Sequence, residues 1–424
     1  MAYINIQNYE QYTDEEKGWS ESFHKAILDL ERAGGGTLFV PAGIYRTCSI
    51  VLKSNMVLYL EAGAVLSYLD DPEKYEMISI AYVGKPLLMY VPLVYAENAE
   101  NIAVTGFGTL DGNGYSWWKL KSEMRSKGYR RPHMICFNHC RNVKIETITL
   151  INSPAWTIHP LCCENVLIQG VSIKNPADSP NTDGIDPNSS RNVRILNCII
   201  DVGDDCIAVK AGTEESDQPM PCENIVISNC IMVHGHGGVV IGSEMSGTIR
   251  NVVVSDCVFQ NTDRGIRLKT RRKRGGSIEQ VSVRNIIMEQ VICPFIINFY
   301  YCCGKNGTEK YVWDKAPYPA DDSTPIIQNI EISHVTVYKA AAAAGFFYGL
   351  SEMPLRDVTL SDCTICMDSN GKPGLPAMMS NLEQMAGEGI FLRNAKGIRL
   401  HNISVKNCAG QPVDADHTVD YIVD

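Results

Sequence analysis

Apolar side chains follow two different periods along this chain. Over residues 20–33 they recur at i, i+3, i+4 and i+7, as Phe23, Ala26, Ile27 and Leu30, and Gly34-Gly35-Gly36 closes the run. That spacing predicts one amphipathic helix. Beyond it the period is two. Thr37-Leu38-Phe39-Val40 and Met56-Val57-Leu58-Tyr59-Leu60 read as strands, with Pro41-Ala42-Gly43 as the turn between them. From about residue 101 a unit repeats: Asn, apolar, any residue, apolar, then a second short alternating strand. Copies begin at Asn101, Asn142, Asn165, Asn192, Asn224, Asn251, Asn329 and Asp357, with weaker ones near Gln280 and Gly397. From Asn142 to Asn251 the spacings are 23, 27, 32 and 27 residues.

Self-similarity at this period marks a solenoid. The units hold short strands and no helix long enough to pack, which excludes leucine-rich, ankyrin and tetratricopeptide arrays. The expectation is an all-β chain, a parallel β-helix with a short N-terminal capping helix. In it, asparagines at one phase stack in a turn while apolar positions fill the interior, coil above coil. No low-complexity linker interrupts the chain, so residues 1–424 read as one domain. A cap region covers 1–40, coils cover 41–410 and a tail covers 411–424. Two stretches break the repeat, Tyr115 to Arg131 and Cys302 to Pro325. Both read as structureless insertions that wall a binding groove.

Composition adds limits. Apolar residues make up 45% and charged ones 20%, which argues for a folded globular chain. No apolar run reaches the roughly 20 residues of a membrane helix. Net charge is -10, so a nucleic-acid partner is disfavoured and an acidic substrate would need a local basic pocket. Cys198, Cys230, Cys257 and Cys363 each fall six residues after a repeat begins, which reads as a buried ladder of free thiols rather than disulfides. Cys363 and Cys366 form a C-x-x-C with no second pair, so no zinc site is expected. Met1 to Asn5 show no secretory signal, and with the cysteines this gives a cytoplasmic expectation.

Four polar islands interrupt the β-rich background: Asn181-Thr182-Asp183-Gly184, Gly203-Asp204-Asp205, Gly235-His236-Gly237 and Arg267-Leu268-Lys269. Singly, each is ordinary turn or strand-end chemistry. Their phase is what joins them. Asp204 lies 12 residues after Asn192 and His236 lies 12 after Asn224. Asp183 at 18 and Arg267 at 16 after their own asparagines are near that phase if loops absorb the difference. The expectation is one vertical groove across successive coils. Its residues suit glycoside hydrolysis, which needs one carboxylic acid and a second carboxylate. Asp204 and Asp205 are adjacent and repel, so one should be raised in pKa and serve as the acid. His236 could tune it. Arg267 and Lys269 could hold a sugar carboxylate, which points to a uronic acid. Spacing alone leaves retention or inversion open.

In this order the islands resemble the polygalacturonase family of glycoside hydrolases (family 28), whose members carry N-T-D, G/Q-D-D, G-H-G and R-I-K. Leu268 replaces the usual Ile. Gly106-Phe107-Gly108-Thr109-Leu110-Asp111-Gly112 is similar to the family's early glycine-rich coil, and Gly242-Ser243-Glu244-Met245-Ser246-Gly247 to its bacterial branch. The likeness spans about residues 35–410. It implies a right-handed, inverting, metal-free and cofactor-free enzyme. Asp204 would be the general acid, Asp183 and Asp205 the pair that activates water, and His236 the helper of Asp204. Arg267 and Lys269 would clamp galacturonate, Asn181 would bind substrate, and Tyr301, with Tyr300 as rival, would contact it. The implied partner is a galacturonate-containing oligosaccharide or polysaccharide, cut at α-1,4-galacturonosyl linkages from a chain end. The alternative is rhamnogalacturonan or substituted pectin fragments. The intact carboxylates argue against an idle carbohydrate-binding helix. A lyase would need calcium-binding acids and an arginine base, and no such cluster is seen.

Overall fold

The computed structural model describes residues 2–81 and 84–424. The chain folds as a right-handed parallel β-helix and divides into two compact units, residues 1–204 and 205–424.

In the first unit, helix α1 (Ser20–Arg32) buries Phe23, Ala26, Ile27 and Leu30, the stripe expected from its period. Gly35 accepts the tight exit: its N–H bonds to the Leu30 carbonyl, and its φ of 111° suits glycine. Three parallel ladders follow. One stacks Gly36–Val40, Met56–Leu60, Glu100–Gly106, Arg141–Glu146, Glu164–Gln169 and Arg191–Leu196. A second stacks Gly43–Thr47, Ala64–Tyr68, Thr109–Asp111, Thr149–Ile151, Ser172–Lys174 and Ile199–Asp201. The third stacks Ile50–Val51, Val94–Glu97, Ile135–Asn138 and Ile158–Leu161. Inward positions such as Leu58, Val104, Ile145, Ile168 and Ile195 form columns shielded from solvent. In the second unit one ladder is built of long strands such as Ile249–Gln260 and Ser277–Glu289. The other ladder runs through Asp205–Val209, Gly237–Gly242, Arg264–Lys269 and Cys293–Asn298.

The repeated asparagines do what the pattern predicts. Asn101, Asn142, Asn165 and Asn192 sit at φ of 55–58°, and each amide donates to the carbonyl oxygen of the one before, at 2.8–3.2 Å, starting from Asn55. Asn251 does the same to Asn224 at 2.9 Å. Asn tolerates the left-handed region better than other side chains, and its amide both gives and accepts. The cysteine ladder is explained as well. Cys198, Cys230, Cys257 and Cys363 are buried free thiols, each following a left-handed Asn or Asp and pointing its sulfur at the carbonyl two residues back, at 3.2–3.3 Å.

Several expectations need correction. The 115–131 insertion is not structureless: Tyr115–Ser126 forms helix α2, anchored by buried Trp117 between Tyr75 and Tyr90. An antiparallel hairpin, Met77–Ile80 with Leu87–Tyr90, was not anticipated. Residues 411–424 are not a loose tail, because Val413–Ala415 and Val419–Val423 pair with Glu388–Arg393 and Ala395–Lys406.

Candidate active site

In the first unit the Asp183 and Asp204 turns are tied together by Thr182. Its hydroxyl contacts Ser179 and accepts the Gly203 N–H at 3.3 Å. Gly203 has to be glycine, since a Cβ there would lie 2.4 Å from the Ser179 carbonyl oxygen. The Asp183 carbonyl accepts the Thr157 N–H and the Gly184 carbonyl accepts that of Ile158, which fixes this turn on the preceding coil. Asp183 is buried and Asp204 half-buried, with carboxylate oxygens within 4.8 Å of each other. Asn181, left-handed at φ 56°, donates from its amide to Asp204 Oδ2 at 3.4 Å. Arg131 Nη2 donates to the Asn181 Oδ1 at 3.1 Å, while Nη1 takes the Pro154 and Pro180 carbonyls. Asn181 is therefore placed to orient Asp204. Arg131 holds backbone together instead of walling the groove as expected.

In the second unit Asp205 is 2% exposed and opens the strand Asp205–Val209. It lies in register with Gly237, where a Cβ would come within 2.5 Å of the Val240 side chain. Lys269 Nζ donates to Asp205 Oδ2 at 2.7 Å and Arg267 Nη1 to Oδ1 at 3.4 Å, both from buried positions. Burial would raise the Asp205 pKa, but Lys269, Arg267 and Lys210 outweigh it and hold the carboxyl far below its usual range. Asp205 is the ionised partner. Lys269 is pulled down by burial and by Arg267 beside it, with Asp205 opposing. The second Arg267 nitrogen, Nη2, is buried and has no hydrogen-bond partner among the described residues.

The phase expectation fails for this strand. Val239 pairs with Ile266, so Arg264 sits at the level of Gly237 and Asp205, and Arg267 is three residues further along. No loop absorbs the difference. Long side chains reach back along the strand instead. His236 lies exposed in the turn before Gly237–Gly242. Tyr301 is half-buried, with Lys269 Nζ 5.1 Å and the Arg267 guanidinium 5.6 Å from its ring centre. Its rival Tyr300 is fully buried between Lys315, Arg272 and Tyr348.

The basic run 271–274 is structural. Arg271 and Arg274 pair with Glu214, and Arg271 also takes the Cys303 carbonyl. Arg272 pairs with Glu352 and caps the Tyr311, Asp314 and Ala316 carbonyls of the 302–325 insertion.

Sequence reasoning missed two lysines. Lys210, buried, follows its strand in register with Gly242 and Lys269 and acts on Asp205. Lys121, half-buried on α2, is lowered chiefly by burial and then by Arg131, while Asp204 and Asp183 attract it. Neither stands out in sequence, where a lone lysine beside an apolar run is usual. Cys303 was also missed: Cys302 pulls its thiol down to about 6 against burial, helped by Tyr301, Arg267 and Lys269.

Besides the carboxylates, His133, Cys136 and His159 have ligand-like spacing, with donor atoms within 4.8 Å of one another. Asn188 donates to His159 Nε2 at 3.4 Å, which leaves the proton on Nδ1, facing His133 Nδ1 at 3.0 Å.

The family model for "Glycosyl hydrolases family 28" matches residues 90–373. A "Probable polygalacturonase" of Vitis vinifera is 33% identical over 83% of this chain and 72% of its own length. An "Endo-polygalacturonase" of Pectobacterium carotovorum is 29% identical over 61% of this chain and 66% of its length. Against further plant relatives the chain spans 50–59% of their length. In structure, a hyperthermoactive exopolygalacturonase from Thermotoga maritima superposes with a TM-score of 0.76 at 29% identity, covering 96% of this chain and 92% of that one.

Proposed function

This chain belongs to glycosyl hydrolase family 28, and from that premise we infer that it hydrolyses α-1,4-galacturonosyl linkages of oligo- and polygalacturonate. The observation that carries the reading is the buried Asp205–Lys269–Arg267 group with its unpartnered Arg267 nitrogen. A buried donor left without a partner costs about 1–3 kcal/mol, and a ligand carboxylate would remove that cost. Asp204, more exposed and held by Asn181, is assigned the general acid. Asp205, kept ionised, and Asp183 orient the attacking water. His236 assists Asp204, and Tyr301 flanks the uronate held by Arg267 and Lys269. Two cations on one strand favour galacturonate over the neutral rhamnose of rhamnogalacturonan.

Inversion is part of the proposal. The short Asp183–Asp204 spacing, within 4.8 Å, is nearer the separation usual for retention. Inversion is kept because Asp205, ionised between Lys269 and Arg267, is assigned with Asp183 to hold a water and not to attack the sugar. Proton NMR of the first product tests this. The β-anomer is expected, and initial α-anomer would overturn it.

Attack from a chain end is supported by the hairpin. Ile80, Met89 and Val91 pack onto Tyr95, Cys136 and Leu161 on the sheet of the first unit, covering that face upstream of Asp183. Release of single units from the non-reducing end follows. Reducing ends should rise on polygalacturonate while viscosity barely falls. A rapid fall in viscosity with mixed oligomers would show internal cleavage.

A further inference from the structure

We infer that Lys121 and Trp156 form a subsite in the first unit that takes a single terminal uronate beside Asp183 and Asp204. The inference rests on the uronide-hydrolase reading above.

Tyr95, Cys136 and His159 lie in register on three successive strands, one column of one sheet face. The hairpin covers that column with a buried cluster, and Trp156 packs at its margin. Trp156 thus stands where the covered part of the face ends. The next residue, Thr157, bonds the Asp183 carbonyl, so Trp156 is about one coil spacing, 4.8 Å, from the Asp183 turn. Its indole is half-buried and firmly held. It stacks on His133 with centres 5.0 Å apart and planes 25° apart, and meets His159 edge-on at 5.0 Å and 84°. Both histidines are buried. A fixed, partly accessible indole at the margin of a covered sheet face suits the apolar C–H face of a pyranose.

The charge comes from α2. Trp118 Nε1 donates to the Ser153 carbonyl at 2.9 Å, and the Gly114 N–H bonds that of Asn152, so the helix sits on the turn leading to Trp156. Lys121 follows Trp118 by three residues and shares its face. Arg131, Asp204, Arg125 and Asp183 are the charges that act on it. A uronate bound here would be repelled by Asp183 and Asp204. Arg131 is occupied by two carbonyls and Asn181, whereas Lys121 is a half-buried cation on the helix face that Trp118 docks.

The test is binding, measured in an Asp204→Asn background so that turnover does not intervene. Galacturonic acid and galactose are titrated against tryptophan fluorescence. Lys121→Met should weaken galacturonic acid by about tenfold or more and leave galactose unchanged, the loss expected of one charge-assisted hydrogen bond. Lys121→Arg should recover most of it. Trp156→Phe should abolish the fluorescence change. Equal weakening of both sugars by Lys121→Met, or a fluorescence change that survives in Trp156→Phe, overturns the subsite. Selective binding that responds to both variants, in a chain whose parent does not hydrolyse oligogalacturonides, would refute the proposed function and leave the subsite standing.

Discussion

Asp204 and Asp205 share one peptide bond and live in opposite environments. Asp205 is buried against three cations and held ionised, while Asp204 is half-buried with an amide for a partner. Asp204→Asn should lower kcat by about 10²–10⁴-fold with the fold unchanged, because a near-isosteric amide cannot donate the proton. A variant retaining more than a tenth of the rate would mean the acid lies elsewhere. Lys269→Met tests the other carboxylate. Lys269 is the strongest of the attractions that lower Asp205 against the effect of burial, so removing it raises the Asp205 pKa. The carboxylate we assign to water activation then protonates sooner as pH falls. The acid limb of kcat/KM should move to higher pH, and Lys269→Arg should largely restore it. An unmoved limb with a raised KM would mean that Lys269 acts on substrate alone. At this scale the islands were legible, since three of them pair reactive side chains with glycines and the fourth sets two cations two residues apart on one strand. A basic run such as 271–274 reads the same in sequence whether it faces a ligand or, as here, buried carbonyls and glutamates.

Elements were legible where one pattern repeats. The asparagine phase revealed the coils because each copy serves the same left-handed turn. Asn165 tests that account. An alanine there meets a cost of about 1 kcal/mol for the left-handed backbone and loses ladder bonds to Asn142 and Asn192, each worth about 0.5–1.5 kcal/mol. Asn165→Ala should speed amide exchange in those neighbouring coils without changing kcat/KM. Exchange indistinguishable from the parent would reduce the ladder to a geometric accident. Helix α2 escaped notice because only Trp117 and Met124 of its twelve residues are buried, too few to print a 3.6-residue period. The 77–90 hairpin has two four-residue strands whose alternation is no different from the coils around it. Both elements belong to the inserted lobe, where the local rule changes because the lobe covers a sheet instead of extending it.

For the molecule as a whole, the solenoid alone does not decide how a polymer is cut. A stack of coils offers a sheet face along which a chain can lie, and internal cleavage is the default. What departs from that default is the lobe of the first unit. The hairpin buries Tyr95, Cys136 and Leu161 under Ile80, Met89 and Val91, and α2 is docked on the turn before Trp156. If these elements end the groove, removing one should reopen it. Replacing residues 76–91 by a short glycine-serine linker, with Leu161→Thr to keep the bared face soluble, should leave the Asp205 group of the second unit intact. Hydrolysis of polygalacturonate should continue, but the first products should shift from monomer to mixed oligomers, and viscosity should fall early. The parent, assayed alongside, should release monomer with viscosity nearly constant. Monomer as the first product of the shortened chain would mean that the terminus is recognised without the hairpin, leaving Lys121 and Trp156 as the residues that set the length of the product.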